Sequence, residues 1–331
     1  MYQFDVSDLE LMTNVPGLKG DQNILISGGT GFVGRALIES LIFKQSDLRQ
    51  TNQITIISRQ NQAELKKIFS QEILNQIQWV HPRQLSSLQH QKFHLFFHLA
   101  TDVSLFKADP DRAAGEMQQF EQDLIQVEKL KFEKIFLMSS GSVYAQSEMV
   151  SEDSELVSAE SSPYGVFKKA QEKFWSDFCY HNQTELVIGR CFSIIGPGVN
   201  NSMAIYHFIQ NAIQGKKIVL RDRKEQRSYI YVADLVQCIL LLACGQSQNN
   251  IYNLGSDEVV NFLQLAQLIQ KQIPDSGCTI EVNSDMQVQA LSNRNFFPNI
   301  DLIKKEFGFS IKNSLEQSII KTIQFYQKKS L

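Results

Sequence analysis

Asn23-Ile24-Leu25-Ile26-Ser27-Gly28-Gly29-Thr30-Gly31-Phe32-Val33-Gly34 is the stretch that decides the fold of this 331-residue chain. Four residues of mostly branched apolar character run into a cluster of glycines, and residues 35–42 (RALIESLI) then carry apolar side chains at helical spacing. Strand, glycine turn and helix in that order form the context in which a dinucleotide is held. Gly28 allows the tight turn, Gly31 lets a pyrophosphate approach the backbone, and Gly34 lets the helix pack closely on the strand. The helix N-terminus then offers unpaired N–H groups and the positive end of its dipole to the phosphates. The spacing is Gly-x-x-Gly-x-x-Gly. Thr30, Phe32 and Val33 fall inside the same turn and belong to the cofactor-binding set. Glycines after a strand also mark ordinary turns, and here the strand–helix context argues for the nucleotide.

Downstream, Ile54-Thr55-Ile56-Ile57 reads as a second strand ending in Ser58-Arg59. An acidic residue at this point binds the adenosine ribose hydroxyls, whereas a hydroxyl followed by arginine holds a 2′-phosphate. The expected cofactor is therefore NADP, with NAD as the alternative and Arg59 as a plain solvated residue the competing reading. Further on, Ser162-Pro163-Tyr164-Gly165-Val166-Phe167-Lys168 places a phenol and an ammonium four residues apart in a segment that reads as helix, on one face. A nearby cation favours a phenolate, so Tyr164 is expected to have a lowered pKa and to exchange a proton with a sugar or alcohol oxygen. Such a pair also arises by chance on helix surfaces.

Taken in order, these motifs resemble the extended short-chain dehydrogenase/reductase family, and within it the nucleotide-sugar epimerase/dehydratase branch. Five later segments continue the resemblance: residues 96–100 (FFHLA), 134–144 (KIFLMSSGSVY), 189–198 (GRCFSIIGPG), 227–234 (RSYIYVAD) and 251–256 (IYNLGS). It runs from about residue 23 to the end. The resemblance implies that Ser140 hydrogen-bonds the reacting sugar oxygen, that Tyr164 is the general acid/base, and that Lys168 binds the nicotinamide ribose and lowers the tyrosine pKa. It also implies cofactor contacts at Leu99, Ala100, Ser139 and Phe192, and substrate contacts at Ser140, Ser142, Ser193, Arg227 and Arg294, with Arg227 on the diphosphate through its two-pronged guanidinium. His98 reads as a packed residue at a strand end. Sugar 4,6-dehydratases of the family carry Asp-Glu after the active-site hydroxyl; Gly141 and Ser142 stand there instead, which argues against dehydration and weakens a decarboxylase reading. Met117 replaces the usual asparagine of the helix after the fourth strand.

The implied architecture is α/β, a Rossmann-type doubly wound parallel sheet with a smaller C-terminal substrate lobe. It divides into an N-terminal extension (1–22), a dinucleotide-binding domain (23–190), and a mainly substrate-binding part (191–331) with some segments returning to the sheet. The formal charge of −3 gives no pull toward nucleic acid or anionic membrane. No apolar run reaches the ~20 residues of a membrane span, no basic-then-apolar leader opens the chain, and five scattered cysteines without metal-ligand spacing read as reduced thiols. No metal, a cytoplasmic location and a homodimer are expected, the last as a family trait, as is a place in polysaccharide assembly. The leading functional expectation is an NADP-dependent 4-keto-sugar reductase. A C4 epimerase with tightly bound NAD is the alternative, and a catalytically silent cofactor-binding regulator is the alternative of another class.

Overall fold

The computed structural model describes residues 3–47, 52–145, 149–158, 161–199, 201, 203–220, 225–282 and 295–330. Seven short runs rich in Ile, Val, Leu and Phe form its central sheet: β1 (Asn23–Ser27), β2 (Gln53–Ile57), β3 (Ile77–Val80), β4 (Lys92–His98), β5 (Lys131–Ser140), β6 (Glu185–Cys191) and β7 (Ile251–Leu254). Their order across the sheet is β7-β6-β5-β4-β1-β2-β3, and every pairing is parallel. Parallel strands need helical crossovers, so both faces are covered, and inner strands such as β1 and β4 are apolar on both sides. This is a Rossmann-type sheet. The order reverses between β1 and β4, and at such a switch point a crevice opens beyond the strand C-termini.

Several helices pack around the sheet. The helix α1 (Val6–Thr13) lies in the N-terminal extension, α2 (Phe32–Asp47) follows the glycine turn, α3 (Pro110–Ile125) follows β4, α4 (Pro163–Asn182) carries Tyr164, and α5 (Val232–Cys244) precedes β7. The helix α1 is capped at its N-terminus, where Asp5 accepts the Asp8 N–H. Almost every side chain of α5 is buried, so this helix needs cover on all sides. α1 supplies part of it, packing on α5 and α2 with Leu9 and Met12 buried. Asp8, also buried, accepts from Tyr231 Oη at 2.7 Å and pairs with Lys321 of the C-terminal helix Leu315–Ser330.

Beyond β6 the chain leaves the main sheet and returns to it only for β7 among the described residues. Ser193–Ile195 pairs in parallel with Tyr229–Tyr231 of the strand Gln226–Tyr231, whose other edge is antiparallel to Val259–Asn261. Ile218–Leu220 pairs with Ile280–Val282, and Phe297–Pro298 runs back to Met149–Val150 beside the serine turn. Met12→Ala should destabilise the whole protein by about 2–5 kcal/mol in urea unfolding, the usual cost of a buried methionine truncation. An unchanged midpoint would mean that α1 does not cover the core.

Candidate active site

The glycine turn occupies residues 28–31 and leads into α2. Gly28 has φ +74°, and a Cβ there would sit 2.7 Å from the Ala100 nitrogen, so both backbone conformation and space require glycine. A Cβ at Gly34 would lie 2.2 Å from the Gly28 carbonyl oxygen, which is how closely α2 seats on the turn. Around Gly31, by contrast, a Cβ would meet only the Gly28 oxygen at 3.2 Å, and the residue is exposed. The N–H groups of Phe32, Val33 and Gly34 open the helix and have no intrahelical acceptor. A turn packed tight on its inner side and open on its outer side, with first-turn N–H groups beside it, fits a dinucleotide pyrophosphate. Thr30, Phe32 and Val33 are half-buried around it, and Leu99 and Ala100 lie across from it, with the Leu99 N–H on the Ser27 carbonyl at 3.1 Å.

Ser58 and Arg59 sit at the C-terminal end of β2. The Ser58 Oγ accepts the Gln60 N–H at 3.1 Å. Arg59 pairs with Asp102 (3.1 Å) and Glu116 (3.3 Å), all three substantially exposed. The acidic groups missing from the end of β2 therefore reach this place from the loop after β4 and from α3. Two carboxylates on one guanidinium weaken the attraction it offers a 2′-phosphate.

On the other side of the switch point, β5 ends in Ser139-Ser140 and turns through the short 3-10 segment Gly141–Val143. The Ser140 Oγ accepts the Ser142 N–H at 3.1 Å, which closes the turn. α4 packs straight onto it: a Cβ on Gly165 would lie 2.2 Å from the Ser142 carbonyl oxygen. That approach carries the half-buried Tyr164 hydroxyl within hydrogen-bonding reach of Ser140. Lys168, 2% exposed, donates to the Met138 carbonyl and to Gln171 Oε1, both at 2.8 Å. One helix thus brings the predicted hydroxyl, phenol and ammonium to the end of one strand.

The pKa expectation needs correction in the cofactor-free chain. Burial pushes the Tyr164 phenol up to about 12 against the opposing effect of Ser140. The reason is geometric: the ammonium is bound to a β5 carbonyl and a carboxamide, and burial pushes Lys168 itself down to about 8 against the carboxylates of Glu121 and Glu172.

Ser139 is also placed differently from a simple cofactor contact. Its buried hydroxyl donates to Glu172, which forms a buried two-pronged pair with Arg190 of β6 (Nε to Oε1 3.0 Å, Nη2 to Oε2 2.8 Å). Phe192 stacks on Phe296 with ring centres 4.8 Å apart, and Ser193 starts the next strand, half-buried. Arg227 is largely buried, pairs with Glu225, donates to the Gln226 carbonyl at 2.8 Å, and lies over the Phe262 ring. Arg294 lies outside the described residues.

The sequence reading missed Glu121 and Gln171. Glu121, 2% exposed, accepts at Oε1 from His98 Nε2 (2.8 Å), Gln171 Nε2 (2.5 Å) and Trp175 Nε1 (3.2 Å). His98 in turn meets Ser27 Oγ through Nδ1 at 2.6 Å. The signal was present: Glu121 sits four residues after Met117 and three before Leu124, a carboxylate inside the apolar stripe of α3. Its pKa records the network. Burial alone would raise it, yet the His98, Gln171 and Trp175 bonds hold it below the usual carboxylate range.

The sequence model of the NAD dependent epimerase/dehydratase family matches residues 24–255. This chain belongs to that family. Among curated relatives, UDP-glucuronic acid decarboxylase 1 of Xenopus tropicalis is 24% identical over 94% of this chain and 73% of its own length. Among solved structures, the UDP-glucose 4-epimerase of Thermotoga maritima, determined with UDP-glucose, superposes with a TM-score of 0.75 at 20% identity, over 93% of this chain and all of that one. The UDP-glucuronic acid 4-epimerase of Bacillus cereus, in complex with NAD, gives 0.72 at 19% identity, over 92% and 97%. The family is NAD-dependent, and these neighbours share the Rossmann-type architecture. No helix among the described residues is long and apolar enough to cross a membrane, and no group of described side chains could hold a metal ion.

Tyr164 should remain a phenol through neutral pH in the cofactor-free protein. Ultraviolet difference titration against Tyr164→Phe should show no extra tyrosinate below pH ~10, since the raised pKa delays ionisation. A tyrosinate signal with a midpoint near 7 would contradict the burial argument.

Proposed function

We propose that this family member carries out NAD-dependent oxidoreduction at C4 of a nucleotide-activated sugar, as a C4 epimerase that retains its cofactor. The convergence of Ser140, Tyr164 and Lys168 at the end of β5, across from the glycine turn, carries this reading. Bound NAD supplies the acceptor, and then the donor, of the C4 hydride. Tyr164 takes the proton of the C4 hydroxyl and later returns it, and Ser140 holds the same oxygen through both steps. Burial opposes ionisation of Tyr164 in the cofactor-free chain, where Lys168 is bound to Met138 and Gln171, so the basic role belongs to the cofactor-bound protein. Arg227 would exchange Glu225 for the substrate diphosphate.

Loss of water or carbon dioxide fits less well. Gly141 stands where a carboxylate would be needed, and a Cβ there would come within 2.8 Å of the rings of both Phe192 and Phe296. Those rings join Tyr144, Val143 and Val150 in an apolar cluster beside the turn. NAD is favoured over NADP because Arg59 already faces Asp102 and Glu116. This places the epimerase ahead of the reductase. A 4-keto-sugar reductase remains the second reading, favoured by a Tyr164 that keeps its proton until about 12 and is thus set up to protonate an alkoxide.

Residues 191–331 are taken as mainly the substrate part, the protein as a homodimer, which light scattering would test, and its setting as cytoplasmic, which suits five free cysteines. Purified protein should release NAD on denaturation and interconvert UDP-glucose or a related C4 pair without added cofactor. Stoichiometric consumption of NADPH with a 4-keto sugar would instead establish the reductase. Tyr164→Phe should keep the cofactor while turnover falls about 100-fold or more, the usual contribution of a positioned acid/base. Unchanged turnover would remove Tyr164 from the chemistry.

A further inference from the structure

A buried ammonium needs either a counter-charge or deprotonation, because low-dielectric surroundings penalise the ion. Lys168 touches no carboxylate directly among the described residues; its two acceptors are the Met138 carbonyl and Gln171 Oε1. The neighbouring Glu172 is already committed to Arg190 and Ser139. Glu121, on α3, is the buried carboxylate left over, and it reaches the ammonium through one carboxamide. Gln171 gives its N–H to Glu121 and its oxygen to Lys168, so each end of the amide meets the partner its chemistry requires. An ionised Glu121 only accepts, so His98 donates to it from Nε2, and its Nδ1 is hydrogen-bonded to Ser27 Oγ. The indole N–H of Trp175 fixes the carboxylate from a third side.

We propose that Glu121 and Gln171 are positioning residues for Lys168: a carboxylate–carboxamide–ammonium chain, anchored by His98 on the end of β4, that holds the lysine head in place and keeps it charged. The inference rests on the functional reading only for the use to which Lys168 is put; the chain itself is independent of substrate. Titratable groups face the ammonium from several elements. Glu121 faces it from α3 and Glu172 from its own helix, both favouring the charged form, and the Cys191 thiol faces it from β6. Arg190, also on β6, is neutralised by Glu172. Tyr164 lies one turn before it on α4, and His98 completes the surroundings from β4 through Glu121 and Gln171. Burial holds the Lys168 pKa near 8, so removal of one favourable charge falls within the working pH range.

The test is a direct titration of Lys168 in the full chain labelled with 13Cε-lysine, its resonance assigned by its loss in Lys168→Arg. Glu121→Gln keeps the shape and the acceptor but removes the charge; Gln171→Met keeps the volume but removes the bridge. In Glu121→Gln the Lys168 midpoint should fall by about one pH unit relative to wild type, a shift typical of losing one nearby opposite charge; in Gln171→Met, which takes an acceptor from the ammonium, it should fall as well, with circular dichroism unchanged in both. The basic limb of the pH–rate profile should move down by the same amount. A Lys168 midpoint unmoved in a folded Glu121→Gln or Gln171→Met protein overturns the proposal, whatever happens to thermal stability. Should the wild type turn over no nucleotide sugar, the functional reading falls while the lysine titration still decides this one.

Discussion

Everything in this structure that bears on chemistry depends on burying one ammonium. Lys168 cannot reach water, so its hydrogen bonds must be found inside, and they are found on a β5 carbonyl and on a carboxamide of its own helix. The first of them ties α4 to β5. With α4 fixed, Gly165 must lie against the Ser142 carbonyl, and Tyr164, one residue earlier, must lie beside Ser140. One residue beyond Gln171, Glu172 extends the tie to Arg190 on β6.

The same constraint gathers one buried polar network at the C-terminal ends of the strands. Ser27, His98, Ser140 and Cys191 end β1, β4, β5 and β6. The bond from Ser27 to His98 crosses between β1 and β4, where the strand order reverses. Hydrogen bonds then run through Glu121 and Gln171 to Lys168, linking the strand that enters the glycine turn to the helix that carries the phenol. Buried polar networks of this kind are costly unless every member is satisfied, and satisfied ones hold side chains in single rotamers. Interlocking of that sort is what a proton-exchanging phenol needs, since its partner oxygen must be met within hydrogen-bond reach.

Much of this was legible in the sequence because its signals are local. The apolar run and glycines at residues 23–34 announce a strand, turn and helix whose spacing alone implies the β1–α2 unit. Tyr164 and Lys168 are one turn apart on any helix, and the Gly141-Ser142 departure is visible without coordinates. What escaped was non-local. Nothing in the order of residues says that Glu121 and Gln171, fifty positions apart, share a hydrogen bond, though a carboxylate within the apolar stripe of α3 was a readable warning. Arg59 was read from its strand end alone; its meaning changed once Asp102 and Glu116 arrived from other elements. The pKa expectation for Tyr164 failed for a related reason: helical spacing gives proximity, but not where a flexible ammonium finds its acceptors.

A crystal structure with NAD and UDP-glucose tests the central claim most directly. The account predicts the Tyr164 and Ser140 hydroxyls both within about 3 Å of one sugar oxygen, the reach required for proton exchange, with Lys168 still on the Met138 carbonyl and extended toward the nicotinamide ribose. A sugar bound with its C4 oxygen beyond contact of Tyr164, or a dinucleotide bound away from the turn at Gly28–Gly34, would contradict it.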